Sequence, residues 1–223
     1  MNWKDVEQGI GWSRSAWCHP LKRFVKDNPN MKFGSSLEIG ASENGTMLPF
    51  LLSVSDKVVI GYYGCNVEKL RSSILKFSRD TEVKHVDVRN IHGKYDVVIA
   101  KSVLGGVFRL NESSIDDVNQ LVESTLKSNI NEGGMLVLLD NGRSFFEEVL
   151  FKCGSRKNNW RFFCEKDFIN PYQQYVFGFF SCFSFESRFG VLGRAIDSLV
   201  YFLDIFLSKL TKHPTVILTI YKK

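Results

Sequence analysis

Between residues 36 and 140 the chain alternates short runs rich in Val, Ile and Leu with longer segments of helical periodicity. That alternation restricts the fold more than any other feature. Apolar runs too continuous to leave one face wet belong in a sheet buried on both sides, and parallel neighbours in such a sheet are joined by crossover helices. The pattern predicts strands at 36–40, 57–62, 82–87, 95–101 and 134–140, and helices at 44–54, 66–78 and 114–129. Strand and helix in repeated succession predict a doubly wound α/β sheet.

Outside this block the signals change. Asn131-Glu132-Gly133-Gly134 supply a helix stop and turn before the strand Met135-Leu136-Val137-Leu138-Leu139. A helix at 143–153 is expected next, then a polar stretch, an aromatic-rich segment through Phe189, a long amphipathic helix at 192–210 and a strand at 215–221. Residues 1–34 read as a helical cap ahead of a domain at 35–223, with Trp3, Trp12 and Trp17 as packing anchors over the sheet edge or cofactor mouth.

A chain of 223 residues, 44% hydrophobic, supports one well-buried domain. The richest apolar run, 191–210, is interrupted by Arg194, Asp197, Asp204 and Lys209, so no membrane span is expected, and no signal-peptide core follows Met1. Cys18, Cys65, Cys153, Cys164 and Cys182 form no C-x-x-C pair; free thiols in a reducing cytoplasm are expected, and no metal. The net charge of +5 is dispersed, without the basic run that would argue for nucleic acid; an anionic small substrate or loose contact with an acidic membrane surface fits it.

The chemistry-bearing stretch is Leu37-Glu38-Ile39-Gly40-Ala41-Ser42-Glu43-Asn44-Gly45. Gly40 lets backbone approach a ligand, Ala41 and Ser42 keep the turn narrow, and Gly45 lets the next helix close on the sheet. A helix beginning near Asn44 would aim its first N–H groups at a nucleotide cofactor, and Glu38 would accept from a cationic amine. A strand ending in a capped turn is the alternative.

Further along, Val58 to Tyr62, Asp87, Tyr95-Asp96-Val97-Val98-Ile99 and Gly133-Gly134-Met135-Leu136-Val137 follow in order and spacing. With Lys101-Ser102-Val103-Leu104-Gly105-Gly106, Asp140-Asn141, Trp160-Arg161-Phe162 and Phe202-Leu203-Asp204, the chain from about 35 to 223 resembles the class I S-adenosylmethionine-dependent methyltransferases. The resemblance is closest to the bacterial group encoded with surface-polysaccharide biosynthesis genes. It implies a Rossmann-like, seven-stranded, mostly parallel sheet whose antiparallel last strand lies between the fifth and sixth. It also implies S-adenosylmethionine as cofactor.

By that resemblance Glu38, Gly40 and Ser42 would hold the methionine part, and Asp87 with the Val88 N–H the adenine. Tyr62 stands where relatives carry a ribose-binding acid, and a phenol is no bidentate anionic acceptor. Tyr62 or Tyr63 would then stack beside the adenosine, or the cofactor has been lost. Lys101 and Ser102, ending the fourth strand, would face the cleft, with Lys101 orienting an anionic acceptor. Asp140 is the candidate general base, ahead of His92. Asn141, Arg143, Trp160 and Arg161 are candidates for a sugar or phosphate, since guanidinium groups fork onto oxyanions and indoles pack on sugar faces.

The phenylalanines of 172–189 suggest a hydrophobic acceptor wall, a lipid-linked substrate or a homodimer contact. The expected reaction is methyl transfer to a small acceptor, a sugar hydroxyl or amine on a nucleotide- or lipid-linked glycan. The competing expectation is a non-catalytic interaction module that keeps the fold without the cofactor. A nicotinamide dehydrogenase is disfavoured by the Gly40–Gly45 spacing and the missing acid after the second strand.

Overall fold

The computed structural model describes residues 1–11, 14–145, 159–181 and 186–223. Strands β1 (Phe33–Ala41), β2 (Ser55–Tyr62), β3 (Glu82–His85), β4 (Tyr95–Lys101), β5 (Ile130–Asn141), β6 (Gln173–Phe177) and β7 (Val216–Lys222) form one seven-stranded sheet in the order β3-β2-β1-β4-β5-β7-β6. The first five are parallel; β7 runs antiparallel to both β5 and β6, inserted between them. Strand order reverses between β1 and β4, so the crevice for a ligand lies at their carboxyl ends.

Period-two alternation assigns the two faces. Val58, Ile60, Val97, Ile99, Val137, Leu139, Leu218 and Ile220 point to one core, and Leu37, Ile39, Val59, Val98, Leu136, Leu138 and Ile217 to the other. The first core takes α1 (Trp3–Ile10), α2 (Arg14–Asp27), α3 (Leu48–Val54) and α4 (Val67–Ile74), through Val6, Ile10, Trp17, Leu21, Phe24, Phe50 and Leu70. The second takes α5 (Leu104–Val107) and α6 (Ile115–Asn129), through Leu104, Val118 and Val122. Helix α7 (Glu186–Leu207) is interrupted at Gly190, whose φ of 55° and ψ of −123° are not helical.

Local chemistry sets several boundaries. Ser114 begins α6 with a reciprocal capping box to Asp117. Pro49 sits in the first turn of α3, where a missing N–H costs nothing. At the amino edge of the sheet Asp96 accepts from the Ser35 N–H at 2.8 Å and from Asn131 Nδ2 at 2.7 Å, tying β1, β4 and β5 in register.

Two expectations are corrected. The helix after the glycine loop starts at Leu48 rather than near Asn44; Ser42 to Gly45 instead closes on itself through reciprocal backbone bonds of 3.1 Å. The Asn131–Gly134 turn is absorbed into β5, which starts at Ile130 and shifts register before Met135. The helix expected at 143–153 falls almost wholly outside the described residues, as does Trp12.

Candidate functional site

Three ionisable side chains gather at the carboxyl ends of β1, β4 and β5. Glu38 is 1% exposed and both of its oxygens are engaged: Thr46 Oγ1 donates at 2.6 Å and the Met47 N–H at 2.8 Å. Glu38 therefore fixes the approach to α3. Burial pushes its carboxyl up to about 7, against the pull of those bonds and of the Lys101 charge.

Asp140 is equally buried, and neither of its oxygens reaches hydrogen-bond geometry with a donor among the described residues. Burial pushes this carboxyl, too, up to about 7; the N–H groups of Leu104, Gly105 and Val103, facing it from the start of α5, offset that only in part. Lys101 lies between the two acids in its electrostatics, and burial holds its ammonium below the ordinary lysine range although both carboxylates favour the charge. Its Nζ sits 5.1 Å from the centre of the Trp17 ring, so α2 reaches the end of β4. Two buried acids around one half-buried amine would carry net negative charge if all ionised; one proton held by the acids removes it.

The loop over this group is tight. Gly40 has φ +78°, and a Cβ there would lie 2.3 Å from Val103 Cγ2. The N-terminal helices close it from above. Gly9 O accepts from the Thr46 N–H at 2.8 Å, and a Cβ on Gly45 would meet Ile10 O at 2.6 Å. Ser102 takes φ +56°, a sparsely populated conformation for a residue with a side chain, and its Oγ accepts from Asn141 Nδ2 at 2.9 Å. The ends of β4 and β5 are thus bridged beside Asp140.

The other side of the crevice is aromatic. Tyr62 meets the His85 ring edge-on at 5.6 Å, and Tyr63, 61% exposed, lies at 5.2 Å from the same ring. Asp87 accepts the Arg89 N–H at 2.9 Å, closing its own loop, and Val88 is buried in the core. Ser42 Oγ likewise accepts from the Asn44 N–H at 3.2 Å. Exposed His92 lies in the loop before β4, its carbonyl accepting from Tyr95 OH at 3.3 Å.

Of the expected acceptor contacts, Asn141 reaches the crevice. Trp160 packs on Gly105 and Gly106, where a Cβ would come within 2.3 and 2.6 Å of the indole, and its Nε1 is buried with no hydrogen-bond partner among the described residues. Arg143 is 3.8 Å from the Asp167 carboxylate and half-buried. Arg161 spends its guanidinium within the chain: it donates to the carbonyls of Phe108, Arg109 and Ser113, which makes it a clamp for the segment after α5. Sequence reasoning missed Thr46 and Met47 as partners of Glu38, and Val103 as the occupant of the Gly40 cradle. Thr46 and Pro49 did carry a signal, since a hydroxyl and a proline ahead of an apolar run mark a helix start.

No protein-family model matches the chain, and no curated protein matches it. Solved structures do. The N-methyltransferase NodS from Bradyrhizobium japonicum WM9 superposes over 94% of this chain and 95% of its own with a TM-score of 0.53 at 9% identity. Coclaurine N-methyltransferase bound to N-methylheliamine and SAH superposes over 94% of this chain and 71% of its own, with a TM-score of 0.58 at 13% identity. An S-adenosylmethionine-dependent methyltransferase from Clostridium acetobutylicum ATCC 824 aligns over 68% of this chain at 16% identity and a TM-score of 0.44; the aligned part spans 55% of that protein's length. The chain has the Rossmann-like methyltransferase fold.

Proposed function

We propose that the chain transfers the methyl group of S-adenosylmethionine to a small acceptor, a sugar hydroxyl or amine of a nucleotide- or lipid-linked glycan, as in the bacterial polysaccharide-associated group. The observation that carries this reading is Asp140: a carboxyl 1% exposed, with no hydrogen bond among the described residues, at the carboxyl end of β5 beside the crevice. Three backbone N–H groups face this carboxyl without closing hydrogen-bond geometry, so a ligand group that bonds to it lowers the cost of its burial. An acceptor group that brings a proton suits it, as a general base requires. For the proposed cofactor, the aromatic edge at Tyr62, Tyr63 and His85 fits the flat base by stacking rather than by charge.

When bound, S-adenosylmethionine supplies a methyl group already activated on sulfur. What remains for the protein is alignment, exclusion of water and, for a protonated nucleophile, removal of a proton. Asp140, with its affinity for a proton raised to about 7, takes that proton near neutral pH. The Ser102–Asn141 bridge orients the acceptor, and Lys101 holds the site near neutral overall. Amine acceptors lie within the proposed class, and the overlays above 0.5 are with proteins described as N-methyltransferases.

A non-catalytic module is the second reading, favoured by Tyr62 in place of an acid and by Val103 filling the space beside Gly40. Calorimetric titration with S-adenosylmethionine and with its demethylated product decides between them. Binding in the micromolar range is expected; no heat at millimolar ligand overturns the enzyme reading.

A further inference from the structure

From Val191 onward α7 packs on the core through Tyr201 and Ile205 and anchors itself through buried Asp204. Asp204 is fully buried and accepts from the Phe180 and Ser181 N–H groups, both at 2.9 Å, and from Ser181 Oγ. Half-buried Tyr201 bonds through its hydroxyl with His19 Nδ1 at 3.1 Å, against α2. An apolar side faces out as well. Leu192 is 66% exposed, Leu199 61%, Phe202 57%, Leu203 42%, Phe206 57% and Leu210, just past the helix end, 82%. Steps of three, four and seven residues put these side chains on one stripe roughly 25 Å long.

The stripe exposes on the order of 700 Å² of apolar surface, above what most monomers leave wet in one patch. Its charges are sorted as well. Between Val191 and Lys212 the exposed charged residues are Arg194, Lys209 and Lys212, while Asp197 is half-buried and Asp204 lies inside.

We propose that this face of α7 docks on a membrane surface carrying anionic lipid, with the Leu and Phe stripe in the headgroup boundary and Lys209 and Lys212 against the lipid phosphates. An apolar stripe of leucine and phenylalanine bordered by cations is the composition of an interfacial helix. No helix among the described residues is long and apolar enough to cross a membrane, so α7 lies along the surface. A second copy fits less well. A two-fold pairing along α7 would bring Lys209 and Lys212 of each copy against the other copy's stripe, with no fully exposed acid between Val191 and Lys212 there to meet them. The proposal does not depend on methyl transfer.

Flotation of the full chain with phosphatidylcholine vesicles, with and without phosphatidylglycerol, tests it, alongside sedimentation without lipid. The wild-type chain should float with the anionic vesicles, less with pure phosphatidylcholine, and less at high salt. Phe202→Gln with Phe206→Gln should lower partitioning roughly tenfold or more. Lys209→Glu with Lys212→Glu, which leaves the apolar stripe intact, should lower it on anionic vesicles about thirtyfold or more, at ~1 kcal/mol per cation lost. Absence of flotation by the wild type, or flotation unchanged in both double variants, overturns the proposal. So does a dimer that the phenylalanine variant dissolves while vesicles fail to bind, because a second copy then covers the face.

Discussion

The two sides of the crevice are built on opposite principles. At the ends of β1, β4 and β5 charge is drawn in from water: Glu38 and Asp140 lie inside with Lys101 half-buried beside them, and desolvation moves each away from its ordinary titration range. At the ends of β2 and β3 the groups are aromatic and more open, and the acid there, Asp87, spends a carboxylate oxygen on its own turn. Buried charge is costly and survives where something uses it. The open aromatic edge costs little and offers flat surface without charge. In the proposed reading one side does the chemistry, and the other holds a planar base.

Asp140→Asn strikes the charged side hardest. Turnover should fall about 10²- to 10⁴-fold, the range for loss of a general base, with cofactor affinity changed less than about threefold. The same variant should raise the melting temperature at pH 8, since an amide needs no burial of charge. A parallel collapse of affinity would make Asp140 a cofactor anchor instead of a base.

Gly40→Ala tests the loop that separates the two sides. A Cβ forced into positive φ and against Val103 should cost about 2–3 kcal/mol in chemical denaturation, and Val103→Ala should recover part of it. Full stability in the single variant would show that the loop relaxes freely. For the same reason Gly40→Val strains the fold and is a poor probe of binding alone.

Tyr62→Glu converts the aromatic side toward the charged one. An added bidentate acceptor for the ribose hydroxyls should tighten cofactor binding about tenfold by calorimetry. Weaker binding would mean that the ring itself makes the contact.

A further expected effect is on stability against pH. Glu38 and Asp140 both hold their protons more tightly in the folded chain, up to about 7, than the ordinary carboxyl value near 4. Their contribution is therefore complete below roughly pH 4 and is lost as pH climbs through about 7. Denaturation midpoints should decline across that window, and Asp140→Asn should flatten the decline. An unchanged slope would remove Asp140 from its source.

Much of the sheet was legible because its signal is local. Runs such as Val97, Val98 and Ile99 are apolar on both faces, and a parallel strand between helix layers tolerates little else. The structure sets the start of α6 by a capping box between Ser114 and Asp117, also a local interaction. The loop was less legible. Gly40 read as room for a ligand and Gly45 as room for the next helix, yet Val103 fills the space beside the first and Ile10 lies against the second. Arg161 read as an oxyanion fork and is a clamp for three carbonyls, since nothing in its neighbours along the chain predicts Phe108, Arg109 and Ser113.

The sequence by itself determined the order of strands and helices, the polarity of each face and the residue types available at the strand ends, because periodicity and turn chemistry act over a few residues. Only the tertiary structure decided which of those residues meet. It joined Glu38 to Thr46 and Met47, set Lys101 on Trp17, left Asp140 buried among the described residues without a hydrogen bond, and turned an apolar side of α7 outward. Burial and pairing depend on segments far apart in the chain, and it is burial that moves these acids and the lysine away from their ordinary titration.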